Sequence, residues 1–252
     1  MIHFFKQKPF LQDLIPDNFV DIHSHLLPGI DDGATTLADT TKLIIGLEQI
    51  GITKFITTPH VMGEVWNNSR TKIEETYNNT ISHLAIPSIE TRLKAAAEYM
   101  IDGEFRELFK REPLLTLKDN YVLVEMSYLS PPFQLHEIVN EMQSFGYQPV
   151  LAHPERYNFF HNSLKEYKKL KEIGCLFQLN ILSTVGYYGL GVTKTCEVLV
   201  ANGLVDFVGS DVHHSNHLEY LKKRVVIKKH DYIKPIMENN TLFDFENSLQ
   251  VK

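Results

Sequence analysis

The sequence is poor in cysteine, in long apolar runs and in excess positive charge, and each shortage removes a class of protein. Two cysteines in 252 residues cannot build a disulfide framework, and so low a number fits a reducing compartment. Neither is followed by an arginine six positions on: Ile181 stands there after Cys175 and Asn202 after Cys196. The Cys-x5-Arg loop of cysteine-based phosphatases is therefore missing. No stretch approaches the ~18 consecutive apolar residues of a membrane span. The opening residues MIHFFKQKPF lack the apolar stretch of a secretion signal. No membrane insertion is expected, and the expected location is cytoplasmic. A formal charge of −6 without a basic stripe argues against nucleic acid as a partner. There is no G-x-x-x-x-G-K-[ST] and no Asp-x-Asp pair, which excludes a P-loop and aspartyl-phosphate chemistry of that pattern.

What is present is a regular alternation of short apolar runs with amphipathic stretches, the pattern of β–α units. Strands are expected at 19–22, 54–57, 93–97, 121–124, 148–152, 176–179 and 206–209. Helices are expected at 36–49, 72–83, 134–145, 164–173, 193–201 and 219–225, with Asp231 capping a last one through Met237. Gly51, Gly146, Gly174 and Gly203 each follow a helical run, where a left-handed residue ends a helix. Seven strands in an α/β chain suggest a closed or nearly closed β/α barrel, with an open doubly wound sheet as the alternative. No repeat or linker divides the chain. Residues 19–252 are read as a single domain, preceded by an extension over 1–18. In that extension Phe4, Phe5, Phe10 and Leu11 favour a packing arm or a contact in a homo-oligomer.

The 12 histidines give the pattern its meaning. In β/α barrels the functional face lies at the C-terminal ends of the strands. The residues expected there are Asp21-Ile22-His23-Ser24-His25 followed by Asp31-Asp32-Gly33, then Thr58-Pro59-His60, Glu98, Glu125, His153-Pro154-Glu155-Arg156, Asn180 and Ser210-Asp211-Val212-His213. Imidazole and carboxylate without thiolate suit hard or borderline divalent metals. Along a strand, His-x-His places both imidazoles on one face, close enough to chelate one ion. One such pair, one strand-end Glu or one loop His is commonplace. Their coincidence at successive strand ends indicates a metal site. His3, His83, His136, His161, His214, His217 and His230 are read as structural or surface residues. Arg156 offers a planar fork matched to phosphate oxygens, its alternative being a surface ion pair with Glu155. With no nucleophilic cysteine or aspartate pattern, phosphate cleavage would need metals to supply the nucleophile.

The stretches DIHSHLLPGIDDGA, TTPH, AHPERY and VGSDVHH resemble those of the PHP (polymerase and histidinol phosphatase) superfamily. More narrowly, they are similar to its bacterial capsular and exopolysaccharide tyrosine-protein phosphatases. The resemblance runs from about Asp21 to the C-terminal helix. It implies a distorted (β/α)7 barrel with three divalent ions at its C-terminal rim: manganese first, with iron, zinc, magnesium or cobalt as alternatives. It places the first ion on His23, His25, Glu98 and Asp211. Glu98 would bridge to a second, with Glu125 and His153. Asp32, His60 and His213 would hold the third. Arg156 would hold the phosphate, and Asp211 or His213 would assist the leaving group. The implied reaction is hydrolysis of phosphotyrosine by a metal-activated hydroxide. The implied substrate is the tyrosine-rich tail of a kinase controlling polysaccharide chain length. A small-molecule phosphatase such as histidinol phosphatase is the alternative. An amidohydrolase-like deacetylase would want a lysine among the strand ends, and none is there. One departure is Val61, where many relatives carry a second histidine. Another is the absence of a clear second basic phosphate contact, for which Lys222, Lys223 and Arg224 are candidates.

Overall fold

The computed structural model describes residues 7–245, so the expectations for His3, Phe4 and Phe5 lie outside the described residues. Among the described residues, nine short strands run in parallel: β1 Val20–Asp21, β2 Lys54–Thr57, β3 His60–Val61, β4 Leu93–Ala95, β5 Glu98–Met100, β6 Tyr121–Glu125, β7 Gln148–Ala152, β8 Leu176–Asn180 and β9 Phe207–Gly209. They form a three-stranded sheet, β1-β2-β4, and a six-stranded one, β3-β5-β6-β7-β8-β9.

The second and third strands expected from the sequence are each two pieces. Pro59, which has no N–H to donate, lies in the first break. The neighbouring strand breaks in step, over Ala96 and Ala97. Ala96 N donates to Thr57 O at 2.8 Å, and Glu98 N donates to Pro59 O at 3.1 Å. Counting each broken strand once leaves seven strand positions. Ser24 pairs in parallel with Val212. Asp211 N donates to His23 O at 2.7 Å and His25 N to Val212 O at 3.0 Å. These bonds tie the last strand's continuation to the first and complete a distorted (β/α)7 barrel.

Alternation along the strands sorts two cores. Val20, Ile22, Ile56, Leu123, Val150 and Ala152 share one buried cluster with Phe243, which fills the barrel interior. Val122, Val124, Leu151, Phe177 and Leu179 face the other way, into the larger cluster with the helices. Phe243 closes the end where the strands start, its ring 5.5 Å from Tyr121 and 4.8 Å from Phe207.

The helices are α1 Leu37–Glu48, α2 Arg70–His83, α3 Gly103–Arg111, α4 Leu135–Ser144, α5 Leu164–Glu172, α6 Leu190–Ala201, α7 Ser215–Leu221 and α8 Ile233–Glu238. Helix α3 is absent from the sequence expectation, although Asp102 caps it by accepting from Phe105 N at 2.8 Å. It is short and mostly charged, and it buries only Phe105 and Phe109. Asp231 caps nothing: it lies inside a 3-10 turn, His230–Tyr232, that precedes α8. The helix expected at 219–225 ends at Leu221 because the following backbone pairs elsewhere. Leu11 N donates to Lys223 O, and Val225 N donates to Pro9 O. The arm thus packs on its own chain, with Leu11 fully buried and Phe10 beneath the Arg224 guanidinium at 3.9 Å.

Candidate metal centre

All the expected ligand residues meet at the C-terminal rim. Four groups of side chains bring their ligand atoms within 4.8 Å of one another: His25, Asp32, His60 and His213; His23, Glu98 and His153; His23, His25 and Asp211; and His60, Glu98 and Glu125. The groups overlap, so the nine residues form one continuous cluster. His23 Nε2 lies 3.1 Å from Glu98 Oε2 and 3.2 Å from Asp211 Oδ1. His153 Nε2 lies 3.0 Å from Glu98 Oε1. His60 and His213 both turn Nε2 toward Asp32 Oδ1, each at 3.4 Å. Glu125 Oε1 meets His60 Nδ1 at 2.9 Å, so His60 also faces the second set.

Hydrogen bonds behind the expected ligands fix their orientation. Gln178 donates its amide N–H to Leu179 O at 2.7 Å, so its oxygen faces His23 Nδ1, also at 2.7 Å. His23 must then donate from Nδ1, which turns the Nε2 lone pair inward. Asp31 Oδ2 does the same for His25 Nδ1 at 2.7 Å. The two Nε2 atoms stand 3.3 Å apart and face one space. Asp21 anchors the neighbouring last strand, accepting from Ser210 Oγ at 2.5 Å and Ser210 N at 2.8 Å. Sequence reasoning missed Gln178 and gave Asp31 no separate role. The period-2 spacing of Gln178 from Asn180 was the available signal.

The donor set fits divalent ions. Glu98 Oε2, Glu125 Oε1 and His60 Nδ1 are buried without a hydrogen bond, although His60 Nδ1 lies 3.1 Å from Glu98 Oε2 and 2.9 Å from Glu125 Oε1. Buried nitrogen and oxygen donors converging on one space are what a divalent cation satisfies. The electrostatics agree. Burial would lower the His23 pKa, but the charges of Glu98 and Asp211 raise it to about 10. Burial and the charge of Glu98 push the Glu125 carboxyl up. For His153, burial and the Arg156 charge bring the imidazole down to about 4, leaving it neutral and able to ligate.

Two rim residues adopt left-handed backbone, His153 at φ 37° and Asp211 at φ 51°. For residues other than glycine this costs about 1–3 kcal/mol and concentrates at functional sites. Gly209 allows the strands to close: a Cβ there would stand 2.5 Å from His23 Cβ.

Arg156 does not pair with Glu155. Its Nη1 donates to Asp211 Oδ2 at 2.6 Å. Its guanidinium sits 4.2 Å from the Tyr188 ring centre and 4.9 Å from that of Tyr128. Asn180 Nδ2 donates both to Asp211 Oδ2 at 2.8 Å and to the Tyr188 hydroxyl at 2.9 Å. Glu155 is buried instead against Ser183 Oγ and Asn180 N, and burial raises its pKa to about 7. Lys222 pairs with Glu219, Lys223 covers Tyr220, and Arg224 reaches Lys8 O. None of the three lines the cleft. That cleft encloses about 460 Å³, with His60, Glu125, His153, Arg156, Asp211 and His213 in its wall. Histidines read as structural behave so: His161 Nε2 bonds Glu155 O at 2.8 Å, and His217 packs on Tyr187. Cys175 and Cys196 are free and buried.

Known proteins resemble this chain in sequence and fold. The chain is 31% identical over 196 residues to the tyrosine-protein phosphatase YwqE of Bacillus subtilis, covering 77% of each chain. It is 25% identical over 201 residues to the tyrosine-protein phosphatase CpsB of Streptococcus pneumoniae, covering 77% of this chain and 83% of that one. A crystal structure from work on YwqE and CpsB, described as unique metal-dependent tyrosine phosphatases, superposes with a TM-score of 0.73 at 29% identity. It covers 80% of this chain and 84% of that one. The family model for capsular polysaccharide synthesis, CpsB/CapC, matches residues 19–241. The chain therefore belongs to the CpsB/CapC family of capsular polysaccharide synthesis proteins.

Proposed function

We propose that this protein is a metal-dependent protein-tyrosine phosphatase acting on a kinase that controls capsule or exopolysaccharide synthesis. The observation that carries the reading is the convergence of nine His, Asp and Glu side chains on one rim, with Arg156 in the wall of the same cleft. His23, His25, Glu98 and Asp211 would hold one divalent ion, Glu98, Glu125 and His153 a second, and Asp32, His60 and His213 a third. Manganese is the first candidate. Bound there, divalent ions supply Lewis acidity and a nucleophile at neutral pH by lowering the pKa of coordinated water.

The chain's own residues do the rest. Arg156, clamped by Asp211 and two tyrosine rings, turns its remaining N–H groups to the phosphate oxygens and stabilises charge that builds there. The phenolate is a fair leaving group, with a conjugate-acid pKa of about 10. Burial opposes ionisation of Asp211, but His23 and His213 hold its carboxyl well below the usual range. Asp211 is therefore held as a carboxylate and carries no proton to return to the leaving group. Residues 19–252 act as one catalytic unit, with 1–18 as an arm. The two free, buried cysteines support a cytoplasmic setting, and among the described residues no helix is long and apolar enough to cross a membrane.

The test is turnover of a phosphotyrosine peptide beside histidinol phosphate, after chelation and after adding back manganese, with bound metal counted on the same samples. Peptide turnover that is lost and regained with the metal supports the reading. A chain that binds metal, ignores the peptide and cleaves histidinol phosphate would replace it with a small-molecule phosphatase.

A further inference from the structure

We infer that two apolar walls at the mouth of the metal cleft form a slot for the substrate's aromatic ring, and that this slot selects aryl over alkyl phosphates. The inference rests on the phosphatase reading and adds the residues that set its substrate class. One wall is a tight hairpin after β3. Met62 N donates to Trp66 O at 3.0 Å and Trp66 N donates back to Met62 O at 2.9 Å, which fixes Met62, Val65 and Trp66 along the cleft edge. The other wall is the segment after β6. Tyr128 is held by its stack on His153, with centroids 5.9 Å apart, and by the Arg156 guanidinium. Leu129 follows it at the tip.

Exposure marks these residues. Leu129 is 92% exposed and Val65 61%, yet both line the same cleft as His60, Glu125 and Arg156. Apolar side chains left in water at the edge of a polar site mark contact with a ligand. A phosphotyrosine side chain has the matching form: a phosphate for the Arg156 end and an apolar ring between phosphate and backbone. A phosphoserine side chain would bring its phosphate to the same floor but leave both walls wet. The slot is therefore continuous with the site that takes the phosphate, and its occupant is the substrate's phenyl ring.

The experiment uses one peptide synthesised with either phosphotyrosine or phosphoserine at the same position. The ratio of kcat/KM values for the two is measured for the manganese-loaded wild type, Val65→Ala, Leu129→Ala and the double variant. Both positions are exposed, so folding is preserved; bound metal per chain and inhibition by inorganic phosphate, which reaches only the floor, are read alongside. The expected result is a tyrosine-to-serine ratio lowered about tenfold in the double variant, the scale on which hydrophobic pockets discriminate. Inhibition by inorganic phosphate should keep its wild-type value. An unchanged ratio, or an equal fall for both peptides, overturns the slot while leaving the phosphatase intact. Wild-type protein that cleaves neither peptide overturns the phosphatase reading itself.

Discussion

Asp211 faces Arg156 with one oxygen and His23 with the other: Oδ2 accepts from Arg156 Nη1 at 2.6 Å, and Oδ1 lies 3.2 Å from His23 Nε2. One carboxylate thus joins the cluster of ligands to the group expected to grip phosphate. Arg156→Ala should separate the two roles. Loss of charged hydrogen bonds predicts a drop in kcat/KM of about 10- to 100-fold, mainly through KM, with metal content kept. Steady-state kinetics and metal analysis on the same preparation check this. Equal loss of metal and activity would show that Arg156 supports the ligands rather than the phosphate.

Metal binding should release protons. In the metal-free chain, the carboxylates of Glu98 and Asp211 outweigh burial and hold His23 protonated up to about pH 10. That proton stabilises the metal-free fold fully below the unfolded pKa of about 6.5, and the contribution is lost as pH rises through about 10. A ligating nitrogen cannot keep it. Titration calorimetry in buffers of different ionisation enthalpy should show at least one proton released per chain, with affinity rising from about pH 7 to about pH 9. Binding with no proton release would mean that the imidazole is already neutral.

Gly209→Ala should damage the site from behind. The added methyl would stand 2.5 Å from His23 Cβ and 2.8 Å from Gln178 Nε2, so both the ligand and the residue that orients it must shift. Overpacking of this kind costs about 1–3 kcal/mol. Denaturant unfolding should record that loss, and metal affinity should fall with it. Wild-type affinity in this variant would show that His23 has more freedom than its packing indicates.

Glu155 predicts a pH dependence of stability. Burial raises its pKa to about 7 from an ordinary value of 4.5, so between those values the folded chain keeps a proton that the unfolded chain has lost. Stability from this group is therefore highest below about pH 4.5, falls as pH rises to about 7, and is flat beyond. The fall is on the order of 3 kcal/mol. Glu155→Gln removes the titration. Unfolding of the metal-free protein at pH 5 and pH 8 should show the variant gaining on wild type at the higher pH. A constant difference would place the Glu155 pKa near its ordinary value.

The sequence by itself determined the β–α alternation and the nine His, Asp and Glu residues that converge on the rim. Apolar runs such as 121–124 and 148–152 specify buried parallel strands whatever surrounds them, and each carries its His, Asp or Glu at a fixed offset. The left-handed glycines were equally legible, because Gly51, Gly146, Gly174 and Gly203 all have positive φ. Local chemistry sufficed in these places. It did not suffice for α3, whose charged surface hides two buried phenylalanines, or for the end of α7, where the backbone pairs with an arm more than two hundred residues away in sequence. Tertiary structure alone decided which partner each charged group took. Arg156 stands next to Glu155 in the chain, yet left-handed backbone at His153 opens the turn that separates them. Glu155 is buried against Ser183 and Asn180, while Arg156 meets Asp211 across 55 positions. The tautomer of His23 likewise depends on Gln178, 155 positions away in sequence, which only the assembled sheet brings within 2.7 Å. Spacing along a strand says which side chains share a face; what lies across the barrel from them depends on how the ring closes.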